Sequence, residues 1–176
     1  MQTYIADTKT ISEEEIHTVV DLINRVYLDS EKDFWPHNGD YERTNVSEIK
    51  TFIKENELIV AKLDNEIIGA VHMYKIDDTT GGYGMLVSAP EKRGLKIGKA
   101  LMNAIEEWFL NENIQQIQIE ILKPAEILHP EKEFIEAWYK RLGYQLISKT
   151  PYGELYPDNS HLLRIPCTFY IYKKTL

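Results

Sequence analysis

Residues 87–102 carry the pattern that most limits what this chain can fold into: a strand end, a basic turn with two glycines, and a helix start. The turn reads Ser88-Ala89-Pro90-Glu91-Lys92-Arg93-Gly94-Leu95-Lys96-Ile97-Gly98-Lys99, and Ile97, Leu101, Ala104, Ile105 and Trp108 then share one helical face. A helix entered this way leaves its first N–H groups without intrahelical partners, at the positive end of its dipole. Glycines allow a ligand close to the backbone. With Arg93, Lys96 and Lys99 adding side-chain charge, the turn can hold an anion such as a pyrophosphate. Spacing argues against a nucleotide-triphosphate loop. Three residues separate Gly94 from Gly98 where that motif has four, and Ala100 stands where a magnesium-binding Ser or Thr is needed.

Around this turn the apolar period switches between helix and strand. Ser12 and Glu15 have capping-box spacing, and Ile16, Val19, Val20, Ile23, Val26 and Tyr27 predict a helix ending near Leu28. A polar loop over 30–44, with Pro36 and Gly39, leads to a short helix capped by Ser47 and carrying Ile49, Phe52 and Ile53. Residues 58–63 and 67–74 read as a hairpin around Asp64-Asn65-Glu66. After a polar break over 77–82, a third strand covers 83–88. A fourth covers Ile117 to Ile121. Phe134, Ala137, Trp138 and Leu142 predict a further helix ended by Gly143, and two last strands lie near 144–149 and 168–173, parted by a long loop with three prolines. Residues 1–176 therefore read as one mixed α/β (α+β) domain.

The net charge of −8 disfavours general nucleic-acid binding, which depends on Lys and Arg to neutralise phosphates. No apolar run approaches the ~20 residues of a membrane-spanning helix, and no signal peptide is evident. A single cysteine, Cys167, allows no internal disulfide, so a cytoplasmic setting is expected and Cys167 reads as a small buried apolar residue.

The order of elements, the turn from Val87 to Gly98, and Ala137-Trp138-Tyr139-Lys140-Arg141-Leu142-Gly143-Tyr144 together resemble the GNAT N-acetyltransferase superfamily over about residues 12–173. The turn is similar to the family's Arg/Gln, two residues, Gly, one residue, Gly/Ala pattern. The second segment is similar to its Tyr, two residues, Leu-Gly-Phe/Tyr helix end. The resemblance implies a mostly antiparallel twisted sheet, splayed in the middle and flanked by about four helices. One departure is Lys96, which stands at the pattern's inner glycine. A left-handed lysine is unfavourable, so the turn is expected to be right-handed there or slightly distorted.

The resemblance further implies transfer of an acetyl group from acetyl-CoA to a primary amine by direct attack in a ternary complex. Arg93, Gly94, Lys96, Ile97, Gly98 and Lys99 would bind the pyrophosphate, and Met85, Leu86 and Val87 would pair with the pantetheine arm and polarise the thioester carbonyl. Glu120, between Ile119 and Ile121, is similar to the glutamate base of bacterial enzymes that modify protein N-termini, and alternation turns it away from its neighbours. A solvent-facing strand glutamate is the plainer reading, and His72, Tyr74 and Asp77 are alternatives acting through water. Tyr139 matches the tyrosine that protonates the departing sulfur, and otherwise packs the helix. Acceptor selection would fall to Asp33, Phe34, Trp35, Asp40 and Glu42, and to Tyr152, Glu154, Tyr156 and Asp158, where aromatic faces beside carboxylates suit a cationic amine, while a solvated acidic loop with packing aromatics is an equal reading. The acceptor would be a small-molecule or peptide amine, with no nucleic acid, membrane or metal involved. Dimers are common in such families, so a homodimer is allowed. The alternative function is a non-catalytic acyl-CoA-binding regulatory module on the same fold.

Overall fold

A computed structural model describes residues 1–36 and 41–176; Gly39 and Asp40 of the expected acceptor loop lie outside them. The chain opens with a strand the sequence reading omits, β1 (Gln2–Ile5). It is four residues long, too short to show a period, and it pairs antiparallel with β2 (Leu58–Leu63), more than fifty residues away. Helix α1 (Glu13–Ser30) starts at the expected capping box. Ser12 Oγ accepts from the Glu15 N–H and the Glu15 carboxylate accepts from the Ser12 N–H. The cap of α2 (Val46–Lys54) is Asn45 rather than Ser47: its Oδ1 accepts from the Glu48 N–H, and Ser47 already lies in the helix.

Strand β3 (Glu66–Lys75) follows a two-residue turn in which Asp64 and Asn65 both have positive φ, which matches the natural strand twist. Glu66 therefore belongs to the strand. Strand β4 (Thr80–Ser88) begins three residues earlier than its apolar pattern suggests, because Gly81 and Gly82 are ladder residues and not a break. A Cβ on Gly81 would come within 2.1 Å of the Phe109 ring, and one on Gly82 within 2.7 Å of the Tyr74 ring. These glycines let side chains close on the sheet from both faces.

A 3-10 turn (Pro90–Lys92) leads to α3 (Ile97–Asn111), followed by β5 (Gln116–Pro124), α4 (Pro130–Arg141) and β6 (Gln145–Pro151). The expected long loop contains a single helical turn, α5 (Tyr152–Leu155), and a 3-10 stretch (Pro157–Leu162) before β7 (Cys167–Thr175). Among the described residues the strands form one sheet in the order β1-β2-β3-β4-β5-β7-β6. All neighbours are antiparallel except β4 and β5.

That exception shapes the molecule. β4 and β5 pair at only three positions, Thr80 with Gln116, Gly81 with Ile117 and Gly82 with Gln118. Beyond these the strands diverge, leaving the outer half of β4 facing a wedge, so the expected splay is present. Helices α1 and α2 cover one face, where Phe52 stacks on His72 at 3.6 Å. Helix α3 covers the other, with Ile97 and Leu101 against Gly69. Among the described residues no helix is long and apolar enough to cross a membrane.

Candidate active site

The basic turn caps the open end of the wedge. Gly94 has φ +88° and nothing within 4 Å of where a Cβ would sit, so its backbone is open to a ligand. Lys96 is left-handed at φ 57°, ψ 32°, against the right-handed expectation. The Lys96 carbonyl accepts the first helical bond, from the Ala100 N–H at 3.0 Å, and Ile97 beside it is buried at 3% exposure. Packing of α3 on the sheet thus outweighs the local cost of about 1–2 kcal/mol. Lys92 and Glu91 are engaged by Glu66 and Arg25. Arg93, Lys96 and Lys99 are exposed, with no ion pair among the described residues and no carboxylate in the first turn of α3.

The stretch from Met85 to Val87 holds a feature that alternation cannot reveal. His72 pairs with Gly84 and Ala70 with Val87, so three steps on β4 match two on β3, and Met85 takes φ +53°. This is a β-bulge. It bends β4 along the wedge, where its backbone groups face no neighbouring strand. Gly84, just before the bulge, has open space on the α1/α2 face.

Glu120 projects to that same face. The buried Ile119 and Ile121 point the other way, while Glu120 is half-buried and shares its field with Tyr74 and Tyr156. Burial pushes the Glu120 carboxyl above the usual carboxylate range, and a hydrogen bond with Gln118 opposes the shift. Tyr74 is pushed up to about 12, by burial first and by Glu120 second. His72 is lowered to about 4 by burial, although its Nε2 lies 3.1 Å from Glu57 Oε2. Asp77 lies at the closed end of the wedge. Its Oδ1 accepts from the Thr79 and Thr80 N–H groups, so it shapes a turn and does not enter the site.

Tyr139 reaches the wedge from α4 on the α3 face. It is 7% exposed and packs edge-on against Tyr144 at 5.4 Å, beside Tyr83, whose hydroxyl lies 3.1 Å from that of Tyr144. Burial holds the Tyr139 phenol well above its ordinary range, only partly offset by a hydrogen bond with Tyr83. Gly143, at φ +94°, ends the segment as expected. The predicted apolar face of α4 is rotated: Phe134 is 70% exposed, and Lys132, Glu136 and Tyr139 are the buried residues.

Of the two readings of the acceptor loops, the structure favours solvated acidic residues with packing aromatics. Phe34, Trp35 and Tyr152 are buried with Leu122 and Cys167 in a second small core, so their faces pack and do not line a pocket. Cys167 is buried as expected, with its thiol pushed up to about 12. Asp33, Glu154 and Asp158 are exposed. Three residues by the wedge escaped the sequence reading: Tyr83, Gly84 and Arg43. Arg43 is the only Lys or Arg between Lys32 and Lys50, which was the available signal.

No curated protein sequence matches the chain. Solved structures match throughout its length. An aminoglycoside 6'-N-acetyltransferase complexed with coenzyme A has TM-score 0.70 at 15% identity, covering 99% of this chain and 97% of its own. A GNAT family acetyltransferase from Elizabethkingia anophelis with acetyl-CoA bound has TM-score 0.59 at 15% identity over 99% and 97%. A ribosomal-protein-alanine N-acetyltransferase from Brucella melitensis has TM-score 0.65 at 12% identity over all of both chains. At such identities the likeness concerns the fold. The sequence itself matches the acetyltransferase (GNAT) family over residues 18–144, most of its length, and with the splayed sheet, the bulge in β4 and the basic turn it places this chain in that family.

Proposed function

We propose that the protein is an acetyl-CoA-dependent N-acetyltransferase acting on a primary amine by direct attack in a ternary complex. The observation that carries this reading is the outer half of β4, paired with β3 but not with β5, bulged at Met85 and leading straight into the basic start of α3. The residues present fit the cofactor. Unpaired N–H groups in the first turn of α3, the open backbone at Gly94, and Arg93, Lys96 and Lys99 suit its pyrophosphate. The strand edge from Met85 to Val87 suits an extended amide-bearing arm, and a backbone N–H there polarises the thioester carbonyl. Acetyl-CoA supplies an activated acyl group.

Glu120 takes a proton from the acceptor ammonium, whose pKa near ~10.4 otherwise keeps it unreactive at neutral pH. With acetyl-CoA bound, the C–N bond would form as the C–S bond breaks, and the second nitrogen proton would pass to the departing thiolate. Tyr139 donates a hydrogen bond to that sulfur. Its raised pKa stands well above a thiol near ~8.5, so it stabilises the leaving group without giving up its proton.

Release of coenzyme A thiol from acetyl-CoA, measured with a panel of amines and peptides, tests the proposal. Acceleration by at least one amine supports transfer. Binding of acetyl-CoA without acceleration by any of them leaves the non-catalytic acyl-CoA-binding module as the better reading.

A further inference from the structure

Arg43 stands apart among the cations of the α1/α2 face. It lies between α1 and α2, partly buried, its guanidinium carbon 5.1 Å from the Tyr27 ring centroid. No described residue forms a hydrogen bond or ion pair with its side chain. The nearby carboxylates are taken: Glu31 pairs with Lys132 and accepts from Trp35, and Glu48 accepts from Thr44. Burial works against the charge of Arg43, yet Tyr27, Tyr41, Glu31 and Glu48 outweigh it, and the group stays ionised.

Arg43 lies within electrostatic reach of two phenols that Glu120 also reaches, Tyr74 and Tyr156, and the two groups act on them with opposite sign. Tyr27, beneath the guanidinium, also bears on Tyr139. Beside α1 a cavity of about 380 Å³ is lined by Arg25, Tyr27, Lys32, Tyr41, Glu42 and Arg43 among others. With Arg25 engaged by Glu91, Lys32 and Arg43 stand against Glu42 among the described lining residues, a locally positive patch in a chain of net charge −8 that attracts anions. Lys32 is exposed, so Arg43 is the inner cation, its fork of donors engaged by no described residue.

Resting on the transferase reading above, we infer that the acceptor carries a carboxylate held by Arg43, so that the substrate class is amino acids or short peptides rather than polyamines or aminoglycosides. Amine and carboxylate of one molecule would then lie between Glu120 and Arg43, the space above Gly84 admitting the rest of it. Arg43 binds the acceptor and Lys96 and Lys99 bind the cofactor, so the two affinities separate.

The test compares amino acids with their decarboxylated amines and carboxamides as acceptors, in the native protein and in Arg43→Gln and Arg43→Lys. The native protein is expected to favour the carboxylate form by ~10- to 100-fold in kcat/KM, the range of a charged hydrogen bond. Arg43→Gln removes the preference by raising the acceptor KM while the acetyl-CoA KM holds, and Arg43→Lys restores part of it. The native comparison stands alone if a variant fails to fold. Equal use of carboxylate and decarboxylated forms overturns this inference and leaves the transferase reading intact. So does a weakened acetyl-CoA KM in Arg43→Gln with acceptor preference kept, which would assign the guanidinium to a cofactor phosphate. No thiol release with any acceptor overturns both.

Discussion

Glu120, raised above the usual carboxylate range by burial, must be ionised to act as a base. The rate therefore falls as pH drops through its pKa, and the acid limb of the kcat/KM profile lies at higher pH than for a free glutamate. Glu120→Gln should lower kcat by ~10²- to 10⁴-fold and abolish that limb, with acetyl-CoA binding unchanged. Tyr139→Phe removes one charge-assisted hydrogen bond to the departing sulfur, so a loss of ~10- to 100-fold in kcat is expected from steady-state rates. His72 works in the opposite sense. Its folded pKa of about 4 lies below its unfolded value of 6.5, so the unfolded chain binds more protons between them. Stability is full above pH 6.5 and falls as pH drops toward 4. Chemical denaturation across that range should show the slope, and His72→Gln should flatten it.

At the scale of elements, two backbone positions invite measurement. Lys96 holds a left-handed conformation that glycine adopts freely, so Lys96→Gly should stabilise by up to about 1 kcal/mol. Thermal unfolding measures this, and the cofactor KM reports the charge lost. Gly81→Ala acts the other way, because the new methyl would meet Phe109 on α3; about 1–3 kcal/mol of destabilisation is expected by denaturant unfolding. Both sites show where local patterning stops. Helices announced by a capping box or a terminal glycine, at Ser12 and Gly143, were legible because those devices act within one turn. Strand β1, the start of β4 and the orientation of α4 were not, because each depends on a partner distant in sequence.

Across the whole molecule, the halves on either side of the wedge share only three ladder positions and need other ties. One is a buried ion pair, Lys132 of α4 with Glu31 after α1 at 2.5 Å, their side chains 7% and 5% exposed. The Trp35 indole donates to the second oxygen of Glu31. Lys132→Met would strand this carboxylate, and about 3–5 kcal/mol of destabilisation is expected by melting, with much of it recovered in Glu31→Gln/Lys132→Met. A deficit in the double variant as large as in the single one would show that packing, not charge, matters there.

The sequence alone determined the alternation of strand and helix and the basic glycine-bearing turn before α3, while its family resemblance singled out Glu120 and Tyr139 as candidates. Period, capping and glycine spacing are short-range properties, readable from neighbouring residues. Only the tertiary structure decided that Lys96 is left-handed, that β4 bulges at Met85, that Phe34, Trp35 and Tyr152 pack inward, and that Arg43 stands over Tyr27. Those outcomes depend on which distant surfaces meet, because packing of α3, divergence of β4 from β5 and closure of the two loops each outweigh local preference.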